Sequence, residues 1–315
     1  MLRALVLLAV VAPAWAQREM PPFRPPEGVA WVKDVEYGTG GGRALTLDIL
    51  RPAERPKGKM PALVYIHGGG FSKGDKSQGL RMNAGAAARG YFTATIEYRL
   101  CGEAIFPAAI EDCKCAVRWL RAHAEEYGVD PERIGVWGHS AGGSLAALVG
   151  TSGGVEALEG KDGWEGESSR VACVVDGYGP TDFLTITEMR GGGRDSEMGY
   201  IGGPFHEHEE RSRQASATTH VTKDDPPFLI LHGTGDPVVP FEQSKTFAEA
   251  LSKAGVDVTF VPVTDGGHGW GPNREVDARV DDFFDKHLMG KEVEVSSDPI
   301  QGSPPKGQPR RGGGK

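Results

Sequence analysis

The chain has 315 residues, 39 % of them apolar and 25 % charged, an ordinary globular composition and enough length for one large domain. Its formal net charge of −8 argues against a nucleic-acid-binding role and against a basic helix lying on a membrane surface. Residues 1–16 read as a secretory signal peptide: Arg3 supplies the positive start, 4–11 are apolar, and Ala14-Trp15-Ala16 fits the small-x-small cleavage pattern, leaving Gln17 as the mature start. That apolar run is too short to span a bilayer, so an exported chain without a membrane span is expected.

Residues 17–28 form a proline-rich extended arm. Runs 31–37 and 44–50 alternate apolar and polar residues around Gly38-Thr39-Gly40-Gly41-Gly42 and predict an antiparallel pair. A continuous apolar strand at 61–66 leads into His67-Gly68-Gly69-Gly70-Phe71. A helix over 79–89, a strand over 91–98 and a long amphipathic helix over 107–127 follow, the last with Ala109, Cys113, Val117 and Leu120 on one face. Pro107 near its start and Gly128 after its end are the expected punctuation. Next come a strand at 133–137, a helix from 144 and a strand at 171–178. A long irregular insertion spans 182–222. Strands at 228–232 and 256–263 then alternate with helices at 241–254 and 275–287. A Gly/Pro/Ser-rich tail, 291–315, is expected to be disordered. Residues 29–290 thus form one domain: a mostly parallel sheet of about eight strands with helices on both faces. Ligands bind beyond the carboxyl ends of such strands.

Of the four cysteines, Cys113 and Cys115 stand two apart on a helix and face different ways. Cys173 reads as a buried thiol. Export permits disulfides, and a bridge from Cys101 to Cys113 or Cys115 stays open. His206 and His208 lack a third ligand at useful spacing and read as a solvated loop rather than a metal pair.

Three motifs fall at strand ends. Gly138-His139-Ser140-Ala141-Gly142-Gly143 lies between a strand and a helix. There a G-x-S-x-G turn lifts the serine hydroxyl above the sheet, and glycines let strand and helix pack closely. A serine hydroxyl needs a base within hydrogen-bond reach, and the base needs an orienting acid. His268, in Gly266-Gly267-His268-Gly269 after a strand, is the candidate base. Asp236, held by Pro237 and Pro240, is the candidate acid, with Asp182 its rival and Asp265 a residue that shapes the histidine loop. His232 precedes the acid and is in the wrong order for the base, while His123 and His287 read as surface residues. The N–H groups of Gly69, Gly70 and Ala141 are the candidate oxyanion hole, with Gly68 as a substitute, and His67 orders that loop. Phe71, Tyr178 and Trp270, with Phe183, are candidate pocket residues.

With these residues in order, residues 32–288 resemble the α/β-hydrolase superfamily, in its hormone-sensitive-lipase-like esterase branch. Many members of that branch carry an N-terminal helical cap. The short, proline-rich start here looks more like secreted bacterial acetylxylan and feruloyl esterases. The resemblance implies an α/β-hydrolase fold and hydrolysis of short-chain acyl esters, including acetyl or feruloyl groups on polysaccharide, by a serine nucleophile without cofactor or metal. The partner is then a small ester or an acylated saccharide. Alternatives are a serine peptidase of the prolyl-oligopeptidase type, an arylformamidase or amidase, and a non-catalytic binding module on the same fold.

Overall fold

The computed structural model describes residues 22–302; the signal-peptide segment, the first residues of the arm and the tail from 303 onward lie outside the described residues. The described strands form one nine-stranded sheet in the order β1-β2-β4-β3-β5-β6-β7-β8-β9. Antiparallel pairing is confined to β1 (Val29–Gly40), β2 (Arg43–Pro52) and the β2 edge of β4 (Phe92–Ile96). The remaining neighbours run parallel: β3 (Met60–Ile66), β5 (Val129–His139), β6 (Cys173–Gly177), β7 (Phe228–Gly233), β8 (Val258–Thr264) and β9 (Ile300–Gln301).

Burial on both faces explains why β3 reads as an unbroken apolar run. Leu63 and Tyr65 pack on one side, Ala62, Val64 and Ile66 on the other. The first side is covered by α9 (Arg274–Met289) through Phe283, Phe284 and Leu288, with α1 (Gln78–Ala88) over the neighbouring strands. The second is covered by α2 (Ala108–Ala122), α4 (Ala141–Thr151) and α8 (Phe241–Ala254). The helix expected over 107–127 breaks at His123, which half-buries its ring on Trp119 and takes up that residue's carbonyl at 2.8 Å; a short α3 (Ala124–Tyr127) resumes and ends on Gly128 at φ 70°. His287 is likewise half-buried, against Phe283.

Two expectations are corrected. Residues 182–222 are not irregular: they fold into α5 (Ile186–Arg190), α6 (Asp195–Ile201) and α7 (Glu209–Ala215), with 3-10 turns at Phe205–Glu207 and Ala217–His220. Each helix is too short to show a period or stand alone. Packing holds them: Phe183, Ile186, Tyr200, Ile201 and Phe205 are all buried in the main core. Residues 291–302 are also ordered. Ile300 is 2 % exposed and pairs with Val263, extending the sheet by a ninth strand. All four cysteines are free thiols.

Candidate active site

Strand β5 ends in the turn that carries Ser140, whose backbone sits at φ 55° and ψ −124°. This is a strained conformation for a residue with a side chain, and neighbouring contacts impose it. Ser140 N–H donates to Gly177 O at 2.8 Å across the β5–β6 edge. A Cβ at Gly138 would stand 2.3 Å from Gly142 O, and one at Gly142 would stand 2.1 Å from Ile66 O. No side chain fits either place, so the elbow is wedged between the ends of β3 and α4.

The two other residues arrive from loops after β7 and β8. His268 Nε2 lies 2.8 Å from Ser140 Oγ, and its Nδ1 lies 2.8 Å from Asp236 Oδ2. The network assigns Nδ1–H as donor to the carboxylate and Nε2 as acceptor of the serine proton. A Cβ at Gly233 would meet Gly267 O at 2.3 Å, so glycine lets the two loops touch. Asp236 has a fully covered side chain. Burial alone would raise its carboxyl, but hydrogen bonds from His232, His268 and the Val238 N–H hold it well below the ordinary carboxylate range. It is thus an anion at any pH where the imidazole works.

His232 is the residue that the motif order set aside and the fold puts to use. Buried at the end of β7, it places Nε2 3.1 Å from Val239 O and 3.3 Å from Asp236 Oδ2, with Nδ1 2.7 Å from Ser244 Oγ. Its Nε2–H therefore faces the same carboxylate oxygen that His268 uses. The sequence signal was its place at a strand end four residues before the acid. Asp182 is elsewhere: its carboxylate accepts from Leu184 N–H at 2.9 Å, capping a turn. Asp265 accepts from Gln301 Nε2 of β9 at 3.2 Å.

Gly69 and Gly70 adopt φ 126° and 62°, and Gly69 O closes a turn by accepting Lys73 N–H at 3.2 Å. Among the described residues their own N–H groups donate to no backbone acceptor outside the regular ladders. Ala141, the first residue of α4, likewise has no intrahelical partner for its N–H. Gly68 lies against the elbow, where a Cβ would be 2.8 Å from His139 O. The buried His67 ring stacks on Tyr98 at 4.3 Å and bonds Gly68 O at 2.8 Å, fixing where the loop starts.

These groups border a cleft of about 890 Å³, with Phe71 and Tyr178 on its wall and Arg194, Ser196 and Glu197 from α6 and its approach covering one side. The insertion therefore supplies a partial roof. Phe71 is only 1 % exposed and stacks on Tyr200 at 4.0 Å, so it shapes the wall from behind. Tyr178 meets the His268 ring edge-on at 4.8 Å. Trp270 stands behind Tyr178 at 5.0 Å and lines a second groove beside this cleft. Phe183 is fully buried core. His206 is an exposed neighbour of Glu207, and among the described residues no group of three His, Cys, Asp or Glu side chains could hold a metal ion. No described helix is long and apolar enough to cross a membrane.

Fold and site together define an α/β-hydrolase with a Ser–His–Asp constellation at the carboxyl ends of its parallel strands. The chain belongs to the BD-FAE family, whose profile matches residues 47–251. Esterase LipC of Mycobacterium tuberculosis is 33 % identical over 235 residues, covering 73 % of this chain and 58 % of LipC. Esterase LipQ of the same organism is 33 % identical over 254 residues, 76 % of this chain and 58 % of LipQ. The chain thus spans little more than half of these relatives. Among solved structures, a truncated carbohydrate esterase from gut microbiota superposes with a TM-score of 0.76 at 30 % identity, covering 84 % of this chain and 99 % of the other. Est2 of Thermogutta terrifontis gives a TM-score of 0.69 at 29 % identity over 85 % of this chain and 97 % of the other.

Proposed function

We propose that the protein is a serine carboxylesterase acting on short-chain acyl esters, in particular acetyl or feruloyl groups on a polysaccharide. One observation carries the reading: the His268 imidazole bridges Ser140 Oγ and Asp236 Oδ2 at 2.8 Å on each side. Ser140 attacks the ester carbonyl while His268 Nε2 takes its proton. Asp236 holds the imidazole in the productive tautomer and stabilises the imidazolium. The N–H groups of Gly69, Gly70 and Ala141 meet the tetrahedral oxyanion, each donor contributing about 3 kcal/mol to the barrier difference. The imidazolium then protonates the departing alcohol, and water activated by the same nitrogen releases the acid.

The carbohydrate assignment is supported by likeness to the gut-microbiota carbohydrate esterase and by the export signal read in residues 1–16. With that signal, the protein acts outside the cytoplasm. The test is turnover of p-nitrophenyl acetate, methyl ferulate and acetylated xylan by the wild type and Ser140→Ala. Wild-type activity on the esters, lost in the variant, is expected; equal rates would remove Ser140 from the mechanism.

A further inference from the structure

A second groove of about 500 Å³ lies beside the catalytic cleft, between α1, α9 and the loop 269–272 that follows the catalytic histidine. The two spaces share walls: Met82 and His139 line both. Met82 is 43 % exposed, so the divider on the α1 side is one flexible side chain. On the other side the divider is His139, next in sequence to the nucleophile. Burial pushes the His139 imidazole down to about 4, so it is a neutral, weakly polar surface between the two spaces.

The groove has an aromatic floor and a charged rim. Trp270 and Trp137 flank His139 edge-on, with ring centroids at 6.1 and 5.6 Å, and Val276 and Val280 continue the apolar surface. Around it stand Arg81, Arg89, Asp277 and Asp281, with Arg89 Nη1 bound to Asp281 at 2.6 Å. Apolar floor and hydrogen-bonding rim together suit a polyol, whose ring faces are apolar and whose edge carries hydroxyls. A hydrocarbon chain would instead desolvate Asp277 and the Arg89–Asp281 ion pair without offering either a hydrogen bond.

Direction follows from the chemistry. The imidazolium must reach the departing oxygen, so the alcohol half of the ester lies on the side of His268. This groove is walled by the residues that follow His268. We infer that it binds the alcohol half of the substrate, a saccharide chain that enters over Met82 with a sugar ring on Trp270; this rests on the esterase reading above. Wedging by a non-reacting part of the substrate would then orient the reacting ester.

Gly85 offers a clean test. It lies on α1 in the groove wall, and a Cβ there would meet only Arg89 Nη1, at 3.9 Å. Gly85→Trp fills the groove without touching Ser140, Asp236 or His268. Rates are compared on p-nitrophenyl acetate, p-nitrophenyl octanoate and acetylated xylo-oligosaccharides. The expected result is a loss of about tenfold or more in kcat/KM on the oligosaccharides, with p-nitrophenyl acetate within about twofold of wild type. Asp277→Ala, an exposed rim change that leaves the fold alone, should raise KM on the oligosaccharides only. Unchanged oligosaccharide rates in both variants overturn the inference, as does a selective loss of octanoate, which would make the groove an acyl site. A wild type that cleaves p-nitrophenyl acetate but no acetylated oligosaccharide overturns it while leaving the esterase reading intact. Failure on every ester overturns the esterase reading itself.

Discussion

Gly142→Ala tests whether the nucleophile elbow and the oxyanion loop are one mechanical unit. The added methyl would stand 2.1 Å from Ile66 O, 2.6 Å from His67 O and 2.8 Å from His67 C, all main-chain atoms that cannot rotate away. A Cβ essentially never comes closer than 3.0 Å to such an atom, so α4 and the end of β3 must part by about 1 Å. Overpacking of this kind costs about 1–3 kcal/mol and lowers Tm by several degrees without unfolding the chain. The larger effect is on rate. His67 leads directly into Gly69 and Gly70, so their N–H groups move relative to Ser140 Oγ, and a 1 Å misplacement costs about 10²-fold. The expectation is a fall of about 10²-fold in kcat on p-nitrophenyl acetate, with near-ultraviolet circular dichroism retained. Gly85→Ala is the matched control, since its methyl meets only Arg89 Nη1, at an ordinary van der Waals 3.9 Å, and the helix gains about 1 kcal/mol. If Gly142→Ala keeps kcat within threefold of wild type, the close fit between elbow and loop does not set the oxyanion geometry.

Asp236→Asn should lower kcat by about 10⁴, because the amide lets His268 adopt the wrong tautomer, while the fold persists; a loss below tenfold would point to another acid. Asp176 sits under the elbow with Oδ2 unpartnered and Oδ1 accepting Gly179 N–H at 2.9 Å; burial pushes its carboxyl up to about 7 from an ordinary 3.8. A raised carboxyl pKa in the folded state means that the unfolded chain binds fewer protons, so stability falls as pH rises from about 4 through 7. Asp176→Asn should therefore add up to about 4 kcal/mol at pH 8 and almost nothing at pH 4 in urea titrations; an equal change at both pH values contradicts the assignment. Arg99 donates from Nη2 to the fully buried Asp112 at 2.6 Å and to Asp162 at 2.7 Å. Arg99→Ala should cost about 3–5 kcal/mol by stranding the Asp112 charge, whereas Arg99→Met with Asp112→Leu should be close to neutral. Equal losses in the single and double variants would show that packing, not the stranded charge, sets the cost.

Local patterns carried much of the sequence reading. Both faces of β3 and β5 are buried, so Pro61 to Ile66 and Ile134 to Trp137 had to be apolar without alternation. The glycines around Ser140 had to be glycines because backbone occupies the space of their side chains. The chain order of serine, acid and histidine follows from parallel strands that deliver their loops to one edge, which is why Ser140, Asp236 and His268 are legible in the sequence as candidates.

What the tertiary structure decided lies wherever long-range packing outweighs local preference. Helices α5, α6 and α7 have five to seven residues each and exist because Tyr200 and Phe205 have Phe71 and Phe183 to lie against. Ile300 becomes a strand because β8 has an open edge. Trp270 turns to the second groove because Tyr178 fills the place beside His268. His232 reaches Asp236 because a tight turn after β7 folds the carboxylate back over its own strand end. For the helices, for Ile300 and for Trp270 the deciding contact joins residues far apart in the chain whose fit depends on shape, and shape is a property of the folded chain, not of any window of its sequence.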